Sequence, residues 1–250
     1  MDAYGRDFAA VYSKMWDFWA PRMWPFLAAQ AARRCPKARS WLDLCCGTGS
    51  LLKLAGARGY ETVGLDLSPH QLRFARKNAP QAKLHRADIR AFSLRRKFDV
   101  VTCLFDSLNY VTELREVERV FRNVRRHLAD GGVFAFDANT PDGHRQFWRG
   151  AWIRRGKDCT IIGEPSTDAT ARIAWLRLTG FVKHGRLFRR FQEQHVQRGY
   201  TREEMDALLR RTGFAFTRYN GNDLSRRIAR AGRLLYVCWR DHRETRVRAT

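Results

Sequence analysis

Between Leu42 and Ser50 the chain reads LeuAspLeuCysCysGlyThrGlySer. Two glycines in three residues, at the end of a short apolar run, let backbone come close to a bound ligand. Gly47 and Gly49 are the candidate contacts, with Asp43 and Cys45 just before them. Asp66 follows Gly47 by nineteen residues and ends a second apolar run. That spacing suits a carboxylate accepting hydrogen bonds from the two hydroxyls of a ribose. Asp88 ends a third run, beside Ile89, where it is placed to face an adenine amino group. Ligands of open α/β sheets lie across the carboxyl ends of the strands, near a topological switch. The run GlyThrGlySerLeuLeu lacks the third glycine of the dinucleotide fingerprint, which argues against a generic dinucleotide site.

A second group of residues has the chemistry of proton transfer. Asp106, Asp137, His144, His195 and Tyr200 fall near the carboxyl ends of expected strands and are candidate general bases. Glu193 and His195 stand two apart on an expected strand, so they share one face with Arg189 and Phe191. That face looks either into the site or into solvent. The six cysteines are Cys35, Cys45, Cys46, Cys103, Cys159 and Cys238, and no CxxC pair exists, so no metal site is expected. Cys45, Cys46, Cys103 and Cys238 sit in apolar runs and read as reduced core thiols.

Positioning these groups requires alternating strands and helices. Residues 40–46, 61–68, 82–89, 97–105 and 131–138 read as strands, and residues 50–58, 69–78 and 113–129 as helices. Ser68 caps the second of these helices and Pro69 opens it. Such alternation means a parallel sheet with helices on both faces. Residues 1–39 read as an N-terminal helical cap, with Phe8, Tyr12, Met15, Trp16 and Trp19 on one face. Pro21 and Pro25 are expected to break or restart it, with a second segment over about 23–34. From 139 to 199 the pattern is strand-like with little helix, in runs at 152–163, 171–182 and 187–198, with His184-Gly185 as a hairpin turn. A capping box at Thr201 and Glu204 opens a late helix that Gly213 ends. Two strands, PheAlaPheThrArgTyrAsn and ArgLeuLeuTyrValCysTrpArg, close the pattern. The expectation is one domain over 1–250, with 139–199 a β-rich insertion in it.

Composition agrees with a packed domain. The 250 residues are 44% hydrophobic and 12% aromatic, with eight Trp, which excludes disorder, collagen and coiled coil. No run approaches the roughly 20 apolar residues of a membrane span, and the N-terminus has no apolar targeting segment, so a soluble cytoplasmic protein is expected. The net charge of +22 admits a polyanionic partner. Lys occurs only eight times, however, so the excess is nearly all Arg, and it is scattered along the chain. Scattered charge is weak evidence for nucleic acid.

The motifs resemble those of the class I S-adenosylmethionine-dependent methyltransferases. The matching stretches are AspLeuCysCysGlyThrGly (43–49), GlyLeuAspLeuSer (64–68), AlaAspIle (87–89), PheAspValValThrCysLeuPheAspSerLeuAsnTyr (98–110) and LeuAlaAspGlyGlyValPheAlaPheAsp (128–137), in the family's order and spacing. Within that family the chain is most similar to bacterial small-molecule enzymes of the amino-sugar N-methylating type. This narrower likeness rests on the aromatic N-terminal helix, PheAspAlaAsnThrPro (136–141) and PheGlnGluGlnHis (191–195).

The resemblance implies a Rossmann-like, seven-stranded, mostly parallel sheet with a small antiparallel β lid after strand five. It implies in-line transfer of a methyl group from S-adenosylmethionine to N or O of a small acceptor, leaving S-adenosylhomocysteine. Gly47 and Gly49 would pass under the methionine part of the cofactor. Asp66 would hold the ribose, with Leu67 against the adenine and Asp88 and Ile89 framing it. Backbone at Leu104 and Phe105 would meet the amino-acid end, with Asp43, Cys45 and Asn109 completing the set. Tyr12 and Trp19 would close over the cofactor. His195, Glu193, Tyr200 and Asp106 are the catalytic candidates on the acceptor side. The expected state is a monomer or homodimer. Two alternatives stand beside this reading: an RNA methyltransferase, motivated by the charge, and a non-catalytic cofactor-binding member of the fold. The AsnProProTyr-type and ProCys motifs of nucleic-acid branches are absent.

Overall fold

The computed structural model describes residues 4–170 and 172–241. Seven strands form the main sheet: β1 Ser40–Leu44, β2 Glu61–Asp66, β3 Lys83–Arg86, β4 Phe98–Cys103, β5 Leu128–Asn139, β10 Phe214–Asn220 and β11 Arg233–Arg240. Their order is β10-β11-β5-β4-β1-β2-β3, and only β11 runs against its neighbours. The order reverses between β1 and β4, so the loops after these strands flank a crevice.

Both faces are covered. Helices α2 (Trp19–Arg34) and α3 (Ser50–Gly56) pack on one face through Met23, Trp24, Leu27, Leu51 and Ala55, against Trp41, Val100, Val133 and Val237. Helices α5 (Leu114–His127) and α7 (Arg202–Arg211) cover the other with Val117, Phe121, Leu208 and Leu209, over Phe98, Phe134 and Phe136. The capping box of α7 forms as its sequence predicts. Ser68 likewise caps α4 (Pro69–Asn78), its hydroxyl accepting from the Gln71 amide.

The second sheet has the antiparallel order β6-β7-β8-β9: Trp152–Arg155, Cys159–Asp168, Ile173–His184 and Leu187–Arg198. His184 pairs with Leu187, so the last hairpin turns through Gly185 and Arg186, with Gly185 at φ +63°. Helix α1 (Arg6–Met15) lays Phe8 and Val11 on this sheet, against Ile161 and Leu178.

Several boundaries differ from the sequence reading. The N-terminal cap divides at residues 16–18 rather than at a proline. Pro21 falls in the first turn of α2, where an amide has no intrahelical partner to lose, and Pro25 is carried inside the helix. The two parts of the cap also pack on different sheets. The segment after β5 contains a helix, α6 (Pro141–Phe147), capped by the Thr140 hydroxyl on the Gly143 amide. β3 ends at Arg86, so Asp88 lies beyond the strand rather than at its end. No described helix is long and apolar enough to cross a membrane.

Candidate active site

The loop after β1 is shaped by left-handed residues: Cys45 at φ +55°, Gly47 at +52° and Gly49 at +78°. A Cβ on Gly49 would lie 3.0 Å from the Cα of Ala75 on α4, so glycine is required there by close packing as well as by conformation. A Cβ on Gly47 would meet nothing within 4 Å. Asp66 braces this loop. Its carboxylate accepts the Gly47 amide at 2.9 Å and the Ser68 amide at 2.8 Å, joining the ends of β1 and β2. Burial raises the Asp66 carboxyl, and these amides pull against that rise.

A cavity of about 450 Å³ opens above the loop. Its floor includes Asp43, Cys45, Gly47 and Asp66, and one end is formed by Leu67, Arg86, Ala87 and Ile89. Leu67 is 57% exposed, an apolar side chain that presents its surface at the rim. Leu104 and Phe105 form the wall at the end of β4. The opposite wall comes from the N-terminal segment through Tyr4, Tyr12, Trp16 and Trp19. Tyr12 stacks on Trp16 with centroids 5.6 Å apart, and Trp19 on Phe105 at 5.1 Å. Burial pushes the Asp43 carboxyl up to about 7, although the Thr102 hydroxyl, donating at 2.6 Å, pulls it down.

Beyond the aromatic wall lie two polar networks. In the first, the Tyr4 and Tyr110 hydroxyls are 3.2 Å apart, and Tyr110 is 2.9 Å from His195 Nδ1. Glu193 accepts the amides of Tyr4 at 2.8 Å and Gly5 at 2.6 Å, fixing the start of α1. In the second, Arg233 donates to Asp106 at 2.8 Å and to Asp137 at 3.1 Å, with its guanidinium 5.0 Å from the Trp19 ring. Gln197 donates to Asp106 at 2.6 Å, and its carbonyl lies 3.1 Å from His144 Nε2. Burial holds Asp137 up at about 6, against the pull of Arg233. Burial also lowers His144.

The structure gathers Tyr12, Trp19, Asp43, Cys45, Gly47, Asp66, Leu67, Ile89, Leu104 and Phe105 around one cavity. Other sequence candidates lie elsewhere. Asp88 is not on the cavity wall; its carboxylate is held by the Arg90 guanidinium and amide. Asn109 is fully buried and ties the turn after β4 to Asn139 and Arg198 through backbone groups, which makes it a structural side chain. Tyr200 is buried in the core, donating to the Val111 carbonyl. Gly49 supports the loop from behind. His195 and Glu193 point inward, one layer behind the cavity, with Tyr4 and Tyr110 between. Asp106 sits in the Arg233 network at the cavity's edge.

Tyr4, Trp16, Arg86 and Arg233 were not anticipated as site residues. Tyr4 and Trp16 belong to the same aromatic stretch as Tyr12. Nothing in the spacing marks Arg233, the first residue of a late strand.

Comparison with known proteins agrees with this geometry. Residues 42–132 match the Methyltransf_25 family, described as a methyltransferase domain. The chain is 37% identical over 134 residues to a dTDP-4-amino-2,3,4,6-tetradeoxy-D-glucose N,N-dimethyltransferase of Saccharopolyspora spinosa, covering 52% of this chain and 53% of that one. It is 29% identical over 212 residues to a dTDP-3-amino-3,4,6-trideoxy-alpha-D-glucopyranose N,N-dimethyltransferase of Streptomyces venezuelae, covering 84% of each. The chain thus spans about half the length of the first relative and most of the second. Among solved structures, the S-adenosylmethionine-bound amino pentose methyltransferase CalS10 of Micromonospora echinaspora superimposes with a TM-score of 0.73 at 27% identity, over 96% of this chain and 99% of that one. Residues 42–132 thus match a methyltransferase-domain family, and the fold around them is the Rossmann-like fold of the S-adenosylmethionine-dependent methyltransferases among the solved structures. Sugar N,N-dimethyltransferases are among its relatives.

The cavity residues fit that cofactor. Open space above Gly47 admits a ligand against the backbone. Asp43 and Asp66 offer carboxyls on the floor, and the rings of Tyr12, Trp16, Trp19 and Phe105 offer faces that attract a cation.

Proposed function

We propose that this enzyme methylates the amino nitrogen of an amino sugar carried on a nucleotide. The observation that carries the reading is the far end of the cavity, where the Tyr4, Tyr12 and Tyr110 rings enclose hydroxyl groups within an aromatic wall. An aromatic compartment with a few hydroxyl groups suits a small polar ligand such as a sugar ring. The sugar N,N-dimethyltransferases among the relatives support the same acceptor class.

The bound cofactor supplies a methyl carbon already activated by its positive sulfur. The protein's part is alignment and exclusion of water. With the donor bound, the acceptor nitrogen would take that carbon while sulfur keeps the bonding electron pair. Asp43 and Asp66 would hold the donor's polar ends, and Tyr12, Trp16, Trp19 and Phe105 would shield the reacting centre. The four-stranded sheet backs the N-terminal segment that forms the acceptor-side wall of a single catalytic unit, acting as a monomer or homodimer. All six cysteines are free thiols, which supports work in a reducing cytoplasm.

The test is release of S-adenosylhomocysteine over a panel of nucleotide-linked sugars with an amino group, matched sugars with only hydroxyls, and RNA. Turnover is expected with the amino sugars alone. Turnover confined to hydroxyl sugars or to RNA overturns the reading.

A further inference from the structure

Three parts of the chain, far apart in sequence, place a line of polar atoms that leads away from the cavity. Tyr110 lines the cavity, with its hydroxyl 2.9 Å from His195 Nδ1. His195 is 3% exposed, and its Nε2 has no hydrogen-bond partner. The acid facing that nitrogen is Glu193, with Oε2 at 3.4 Å. The Tyr4 and Gly5 amides hold the Glu193 carboxylate in place. When Nδ1 accepts from the phenol, the proton of the neutral imidazole sits on Nε2, on the carboxylate side. Hydroxyl, imidazole and carboxylate in that order can take a proton at one end and balance the resulting imidazolium at the other.

We infer that Tyr110, His195 and Glu193 form a relay that removes the proton from the acceptor amine. The inference rests on the amine-methylating reading above. An amine attacks through its lone pair, and an ammonium has none. In the step, the N–H bond of the ammonium breaks and its electron pair stays on nitrogen. The proton goes to the Tyr110 oxygen while the Tyr110 proton passes to His195 Nδ1. Tyr110 ends neutral, and the imidazolium ends beside Glu193. Burial pushes the Tyr110 phenol well above its ordinary range, so it hands the proton on rather than ionising.

The groups facing the imidazole are Glu193 from β9, Tyr110 from the turn after β4, and Tyr4 and the Phe8 ring from the N-terminal segment. On β8 its register partner is the apolar Leu176. Tyr110 is faced in addition by Asp106 and Gln197. Tyr110 is the catalytic residue of the three. His195 and Glu193 act through it, as positioning residues. A second round of methylation on one nitrogen uses the same path, because the first product is again an ammonium.

The test measures initial rates of the intact enzyme from pH 6 to 10, with an amino sugar that the wild type accepts. Tyr110→Phe keeps the ring and removes the hydroxyl; His195→Ala removes the imidazole. Each should lower kcat about tenfold or more at pH 7, a threshold set below the roughly 10²–10⁴-fold typical of general-base assistance. The loss should shrink to about threefold or less near pH 9.5, where free amine is abundant, while cofactor Kd from calorimetry stays within about threefold. Added imidazole should restore part of the activity of His195→Ala. Where His195→Ala does not fold, Glu193→Gln and Tyr110→Phe give the same pH readout. A Tyr110→Phe enzyme within threefold of wild type at pH 7, or a loss equal at every pH without imidazole rescue, overturns the relay. A wild type that methylates no amine overturns the proposed function as well, whereas an amine-active wild type matched by Tyr110→Phe overturns the relay alone.

Discussion

With the cofactor in the cavity as proposed, Asp43 should give its binding a dependence on pH that can be calculated in advance. Its carboxyl is buried in the floor of the cavity and pushed up to about 7. A cationic ligand favours the ionised form, so binding must first drive off the proton. If only the ionised form binds, affinity falls by a factor of one plus ten to the power of the pKa minus the pH. That factor is about 33 at pH 5.5 and about 2 at pH 7, a ratio of about 16, or about 1.6 kcal/mol. Cofactor affinity should therefore rise about 16-fold between pH 5.5 and pH 7, with release of up to one proton per site at the acid end. Asp43→Asn removes the titration while keeping a group that can still accept from Thr102, and should flatten the profile. Calorimetry in two buffers of different ionisation enthalpy reads both the affinity and the proton count. Comparison with Asp43→Asn subtracts the titration of the cofactor itself and of the other cavity groups. The same raised pKa penalises the empty fold by about 4 kcal/mol once pH rises from the ordinary carboxylate range past 7, so Asp43→Asn should be the more stable protein at pH 8. A wild-type affinity constant from pH 5.5 to 7, or an identical slope in Asp43→Asn, would refute the reasoning.

Three further outcomes are expected. Gly49→Ala forces a side chain to φ +78° and onto Ala75, at a cost of at least about 1–2 kcal/mol, so its urea midpoint should fall; an unchanged midpoint contradicts the packing argument. Arg233→Met strands Asp106 and Asp137 without their cation and should cost about 3–5 kcal/mol at pH 8. Asp137 already sits up at about 6 and rises further without Arg233, so the loss should ease as pH falls through that raised value, and a stability loss that does not change with pH counts against the network. Tyr200→Phe removes one buried hydrogen bond to Val111 and should cost about 1 kcal/mol in unfolding experiments with kcat unaltered, whereas a tenfold fall in kcat would return Tyr200 to the catalytic group.

The half of the candidate site around the loop after β1 was legible because its requirements are local. Gly47, Gly49 and Asp66 stand at fixed distances from strand ends, and strand ends announce themselves through apolar runs and capping residues such as Ser68. Asp88 failed by two residues: β3 stops at Arg86, and Arg90 turns back to take the carboxylate that was expected to face adenine. The acceptor half depends on tertiary placement that no spacing records. Period-two alternation put Glu193 and His195 on one face, but which side of the sheet meets α1 is decided by packing of Phe8 and Val11. Tyr200 and Asn109 looked chemical by type, yet their polar atoms go to backbone groups that the core would otherwise leave unpaired. Pro21 misled because a proline in a first helical turn looks like a breaker in sequence. Helix α6 was overlooked although Thr140, Pro141 and Asp142 are the start signals for one.

The brace between Gly47, Asp66 and Ser68 joins the loops after β1 and β2; the opposing wall is built from the N-terminal segment, which meets the brace where the Ser68 hydroxyl donates to the Tyr4 carbonyl at 2.7 Å, and the second sheet stands behind that wall. Tyr4 joins the brace through its backbone carbonyl, so a change of its side chain, or of the strands behind it, removes none of the hydrogen bonds that shape the loop after β1. A lineage can thus trade one acceptor for another while the donor site stays constant, and drift in the wall residues is the place to look for divergence among close relatives of this chain.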